Sequence, residues 1–253
     1  MDQNDHDAPF WGHVAELRLV LIQSFFIILT AILLCLWFYQ EIFSILTLPF
    51  DVDTLSAKNL VIFGPIDGMS ITLKVCFWMG IVLSSPCWIY LILRFAAPAF
   101  EQREWQMVIP FISLSILFLG IGVGFAYFMT IPLAKQYLEL FNASIGTNLW
   151  SLSHYVDFTL FLILANAMAF ELSLILFFLV HFSIVSPETL ASKRRYMIVL
   201  AFILGALLTP PDVLTQLMLA IPLIGLYELA VLYARFVQRA KKNKTLPLRR
   251  EPK

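Results

Sequence analysis

Charge is scarce in this chain. Only 13% of its 253 residues are Asp, Glu, Lys or Arg, against 60% hydrophobic, and the mean hydropathy is +0.84. A soluble domain of this length needs far more charge on its surface, so the composition points to a polytopic membrane protein. Cysteine is also rare: Cys35, Cys76 and Cys87 fall in apolar runs without CxxC pairing or metal-ligand spacing, which leaves packing thiols. His6, His13, His154 and His181 are scattered, and no Walker loop, Rossmann glycine fingerprint, HExxH or GxSxG occurs. An ATP-driven pump and a metalloprotease are therefore disfavoured, and no cofactor, metal or nucleic acid is expected as a ligand. The N-terminal MDQNDHDAPFWGHVAELR is acidic, and no small-residue cleavage site follows the first apolar run. Neither a signal peptide nor a presequence is expected, and the first span should stay in the mature protein.

What the chain does have is long apolar runs. About 20 such residues at ~1.5 Å rise each cover the ~30 Å hydrocarbon core of a bilayer. Six spans are expected, at approximately 19–38, 68–93, 106–131, 159–182, 196–208 and 213–233, in a single membrane domain over 1–235, with 236–253 as a basic cytoplasmic tail. The segment between the first two runs, with Pro49, Asp51, Asp53, Lys58, Pro65 and Asp67, is too polar for lipid. Ser84-Ser85-Pro86 should bend the second run, and Lys74 near its start can snorkel to the interface. Gly120 and Gly124, with Gly122 between them, form a GxxxG pair suited to close helix packing. Tyr196–Leu208 gives only roughly 20 Å of helix before Thr209-Pro210-Pro211-Asp212, so that turn should lie recessed where protein or water satisfies its backbone. Arg18, Arg94, Arg103, the 193–195 triplet and the tail fall on one side, and Lys58, Lys74 and Lys135 on the other. By the positive-inside rule both termini are cytoplasmic.

Three carboxylates draw attention. Glu171 sits near the middle of Thr159–Phe182, where an ionisable group costs on the order of 2.5 kcal/mol or more to insert. Thr159, Asn166 and Ser173 share a polar stripe of that helix, while Leu164, Ala167, Met168, Leu174 and Ile175 beside Glu171 offer it no side-chain hydrogen bond. Its partner must come from outside the helix, as a structural pairing in a bundle or as a functional contact. On the cytoplasmic side, Glu16 begins the first helix and Glu104 the third. Each serves either as a helix-dipole cap or, with the other, as a receptor for a cationic ligand, arginine being favoured for bidentate pairing.

His13, Glu16-Leu17-Arg18, Pro98 to Glu104, Phe170-Glu171, Arg194-Arg195-Tyr196, Thr209-Pro210-Pro211-Asp212, Gln216, Ala220-Ile221-Pro222 and Tyr227-Glu228 occur in that order. Together, from about His13 to Arg235, they resemble the TatC family, the multispanning receptor of twin-arginine protein translocation. Val20, Trp105 and Ser173 stand where that family commonly has a basic residue, a basic residue and proline. The resemblance implies an all-α, six-helix concave bundle with short fifth and sixth helices, in a bacterial plasma (inner) membrane. It implies that Glu16 and Glu104, with Arg18, Phe95, Pro98 and Arg103, bind twin-arginine signal peptides of folded cargo. It further implies that Glu171, Thr209, Asp212 and Gln216 meet TatA- and TatB-type single-span partners, with self-association in a multimeric complex and no catalytic residue. A proton-coupled secondary transporter using Glu171 is the competing reading, but it calls for internal repeats that are not seen. An intramembrane enzyme would need a catalytic companion for Glu171.

Overall fold

Long apolar runs whose backbone must bond internally form helices, and the chain does so. The computed structural model describes residues 8–51, 60–96, 104–146, 149–182, 184–208 and 212–245. They form α1 (Ala8–Trp37), α2 (Tyr39–Asp51), α3 (Asp67–Ala96), α4 (Glu104–Phe125), α5 (Ile131–Ala143), α6 (Leu152–His181), α7 (Pro187–Leu208) and α8 (Val213–Thr245). Among the described residues the sole β feature is an isolated bridge between Val61 and Ser151. The all-α class is as expected.

Five stretches are long and apolar enough to cross a membrane: Val14–Trp37, Asp67–Phe95, Ile109–Ala143, Leu152–His181 and Val213–Arg239. α7 is not among them, because its first nine residues carry Glu188, Lys193, Arg194 and Arg195 and leave a short apolar remainder. Several boundaries differ from the sequence reading. The polar stretch after the first run holds the helix α2, which buries Leu46 and exposes Ile45 and Leu48. α8 continues to Thr245, well into the expected tail. The third run passes position 131 and ends at Ala143, joined through a π-helical turn at Ala126–Thr130. Pro132 explains that turn. It has no N–H and its ring crowds the carbonyl four residues back, and the wider turn before it, closed by Ile131 N–H to the Ala126 carbonyl, makes room.

The chain divides into two compact units, Met1–Gly120 with Phe141–Leu160, and Ile121–Leu140 with Phe161–Lys253. In the first, α1 and α3 pack antiparallel. Ile32 lies against Gly80, and Cys35, three residues further along α1, lies within electrostatic reach of Cys76, four residues back along α3. Glycine is required at position 80: a Cβ there would fall 2.6 Å from Ile32 Cγ1 and 2.9 Å from Ile32 Cα and N. α3 runs on through Pro86, with Ser84 Oγ donating to the Gly80 carbonyl at 2.7 Å. At the other end of this unit, Val61 N–H donates to the Trp150 carbonyl (3.0 Å) and Leu152 N–H to the Val61 carbonyl (3.1 Å). Lys74 does not merely snorkel; its Nζ meets Asp157 Oδ1 at 2.6 Å. Both groups are well exposed, so the pair fixes geometry more than it adds stability.

In the second unit α7 and α8 form an antiparallel hairpin, and α6 packs along α8 through Ala165 and Ala169 against Leu219, and Val180 beside Val231 and Ala234.

Because backbone atoms of α1 cannot retreat, Gly80→Ala is expected to lower stability by about 1–3 kcal/mol, the usual cost of overpacking. Gly68→Ala, at a glycine with no atom within 4 Å of the added methyl, is expected to leave it unchanged. Thermal unfolding of both purified variants in detergent checks this. Equal melting temperatures would show that α1 and α3 do not approach this closely.

Candidate functional site

The α1–α3 register carries the first candidate site. Sixteen residues back along α1 from Ile32 is Glu16, and sixteen forward along α3 from Gly80 is Ala96. With equal rise in both helices, Glu16 lies level with the end of α3, and Arg18 level with Arg94. Glu16 and Arg18 are exposed and Phe95 is half-buried. α1 begins at Ala8, so Glu16 stands two turns inside it, beyond the reach of the first-turn dipole. The capping role open to Glu16 in the sequence is thereby removed. Glu104 is the first residue of α4, where the dipole role still applies. Pro98, Arg103 and Thr209 lie outside the described residues.

The second candidate is the polar stretch of α6. Glu171 is 2% exposed, enclosed by protein rather than facing lipid. Asn166 and Ser173 turn back on their own helix: Asn166 Nδ2 donates to the Leu162 carbonyl (2.9 Å) and Ser173 Oγ to the Ala169 carbonyl (2.8 Å). The buried Asn166 Oδ1 has no hydrogen-bond partner among the described residues. The glycine packed here is Gly122. A Cβ on it would lie 3.0 Å from both the Asn166 carbonyl oxygen and Phe170 Cβ, whereas Gly120 and Gly124 have no atom within 4 Å. The expected GxxxG pair is thus not the contact; the residue between its members is.

The third is the α7–α8 hairpin. Asp212, expected among the partner-contacting groups, caps α8: its Oδ1 accepts from Thr215 N–H at 2.8 Å and its Oδ2 from Thr215 Oγ1. Gln216 Nε2 donates to the Phe202 carbonyl on α7 at 3.0 Å, and Gly205 opposite lets α8 come this close. Towards the basic end, Arg194 meets Glu228 Oε2 at 2.8 Å, Tyr227 O–H donates to the Leu190 carbonyl at 2.6 Å, and Gln238 Nε2 donates to Glu188 Oε1 at 2.8 Å. His181 Nδ1 and Tyr233 Oη share a 2.8 Å hydrogen bond, with their rings stacked at 11°. Residue spacing gave no sign of these pairings, which join positions 34 to 52 apart. The Gln238 hydrogen bond, with lesser help from the Glu188 backbone, holds the Glu188 carboxyl below the usual range. No cluster of three or more His, Cys, Asp or Glu that could hold a metal occurs among the described residues. Among the candidate carboxylates, Glu16 is exposed and Glu171 is buried.

Two outcomes follow from the hairpin. Gln216→Leu removes the bond to the Phe202 carbonyl and is expected to cost about 1 kcal/mol, the net worth of such a bond; an unchanged unfolding midpoint would show that the amide is not engaged. Glu188 has a lowered folded pKa, so its contribution is fully present above the ordinary carboxylate range and is lost as pH falls through the lowered value. Gln238→Ala should bring the Glu188 titration, followed by carbon NMR of labelled glutamate, back up towards the ordinary value. No movement would place the cause elsewhere.

Comparison with known proteins matches the sequence and the fold to a family. The family model for the Sec-independent protein translocase protein TatC matches residues 12–222. The chain is 33% identical over 241 residues to the Sec-independent protein translocase protein TatC of Desulforapulum autotrophicum, covering 95% of this chain and 89% of that one. It is 35% identical to the TatC of Aquifex aeolicus (93% and 98% covered) and 31% to that of Escherichia coli (93% and 92%). Among solved structures, a crystal structure of the twin arginine translocase receptor TatC superposes with a TM-score of 0.76 at 34% identity, covering 90% of this chain and all of that one. A second, in DDM, gives 0.77 at 35% identity, with 88% and 99% covered.

Proposed function

The chain belongs to the TatC family of Sec-independent protein translocase proteins, and on that premise we propose that it is the core receptor subunit of twin-arginine translocation. It is a multi-pass membrane protein and a translocase component. In our reading it lies in a bacterial inner membrane with six spans, α7 being the short one, and with both termini in the cytoplasm, as the basic residues at 193–195 and 235–253 favour. The paired arginines of a folded cargo's signal peptide dock on Glu16 and Glu104, guanidinium to carboxylate. Arg18 and Phe95 belong to the same peptide site in this reading, together with Pro98 and Arg103, which lie outside the described residues. No bond is broken in this role, and the energy for transport comes from outside the subunit.

TatA- and TatB-type single-span helices assemble on the α7–α8 edge, near Thr209, Asp212 and Gln216, and at Glu171, and the receptor self-associates. Glu171 is enclosed in the single chain, so a partner helix reaches it only by replacing protein groups now around it. The observation that carries the receptor reading is Glu16: exposed, level with the end of α3, and too far inside α1 to serve as a cap.

Photocrosslinking from position 104 to a signal peptide tests the role. Contact is expected to be strong with Arg-Arg, weak with Lys-Lys, and reduced on Glu16→Ala. The loss should be roughly 10- to 150-fold, matching the ~1.5–3 kcal/mol of a hydrogen bond to a charged group. Equal crosslinking to both peptides would sink guanidinium docking and return the transporter reading to the front.

A further inference from the structure

We propose that Lys193, Arg195 and Tyr196 form a binding site for the phosphate of an anionic phospholipid headgroup, with the lipid's acyl chains lying along α7. Three cations follow one another at 193–195, and they are not equivalent. Arg194 turns to α8 and is neutralised by Glu228 at 2.8 Å. Lys193 and Arg195 are exposed and meet no acidic group among the described residues; both gather on one ring instead. Lys193 Nζ stands 5.2 Å from the Tyr196 ring centroid and Arg195 Cζ 4.9 Å from it, and Arg195 Nη2 donates to Tyr196 Oη at 3.1 Å. Cation–π contacts with exposed rings are worth about 0.5–1 kcal/mol each, enough to orient two long side chains ahead of any ligand. Two like charges held around one ring repel each other, and an anion between them relieves that repulsion.

The surroundings select a lipid over a soluble anion. Tyr196 is the first residue of the apolar part of α7, which puts its hydroxyl at the boundary between water and hydrocarbon, where tyrosine is favoured. From that point Tyr196, Val199, Leu200, Ile203 and Leu207 follow at helical spacing on one face, and all are exposed, from 41% at Leu200 to 71% at Leu207. The same face therefore presents a cationic head and an apolar stripe below it, the complement of an anionic phospholipid. Glu188, the nearest acid on α7, lies about two turns before Tyr196 and is bonded to Gln238. This site is separate from the signal-peptide reading, and its test needs no cargo.

Native mass spectrometry of the full chain released from mixed micelles reads the retained lipid directly. Phosphatidylglycerol is expected to be kept in preference to phosphatidylcholine. Lys193→Gln/Arg195→Gln should weaken that retention roughly 30-fold, as expected for two cations near a membrane surface. Arg235→Gln/Arg239→Gln removes the same charge from α8 and should retain lipid as the parent chain does. Tyr196→Phe, which keeps the ring, should retain most of the preference, and Tyr196→Ala should lose it. Equal loss in the two double variants would reduce the effect to general surface attraction and overturn the site. So would equal retention of the two lipids, or displacement of the lipid by inorganic phosphate, which would make it a soluble-anion site. Unaltered melting temperatures for the exposed substitutions separate these outcomes from misfolding.

Discussion

In hydrocarbon there is no water to satisfy a backbone group and little hydrophobic gain from bringing two helices together. Cohesion must then come from close van der Waals approach, and close approach needs residues with nothing in the way. Gly80 admits the backbone of α1, Gly122 admits the Asn166 carbonyl and Phe170, and Gly205 admits Gln216. Each is a place where a methyl group would separate two helices. The prolines show the same constraint from the other side: the chain stays helical through Pro86, and the π turn before Pro132 absorbs its missing donor.

Polar groups are handled according to depth. Near the chain's aqueous boundaries they pair across helices, as Lys74 does with Asp157, Arg194 with Glu228, and Glu188 with Gln238. Inside the spans, Ser84, Asn166 and Ser173 return their donors to carbonyls of their own helix. This needs no partner and leaves the helix free to pack. Glu171 is buried in protein.

The family assignment makes the chain a component of a protein translocase, and its role as a receptor is our proposal. A receptor for a guanidinium pair needs accessible carboxylates on rigid elements at the water boundary. Glu16 is exposed on α1, and Glu104 opens α4. The short apolar part of α7 adds a second boundary device, since its basic residues reach the interface early and divide their work between α8 and the exterior.

The all-α class and five of the six expected apolar runs were legible in the sequence, because hydropathy acts locally and is summed along the chain. The resemblance in residues His13 to Arg235 likewise needed only order and spacing. Tertiary structure decided the rest. It moved the start of the first helix to Ala8, which changed the meaning of Glu16, and it made Gly122 rather than Gly120 or Gly124 the contact. It also gave Arg194 to Glu228 while leaving Lys193 and Arg195 to Tyr196. In each case the outcome depends on the rotation of one helix against another. That rotation is set by side chains distant in sequence, and periodicity within a single helix carries no information about it.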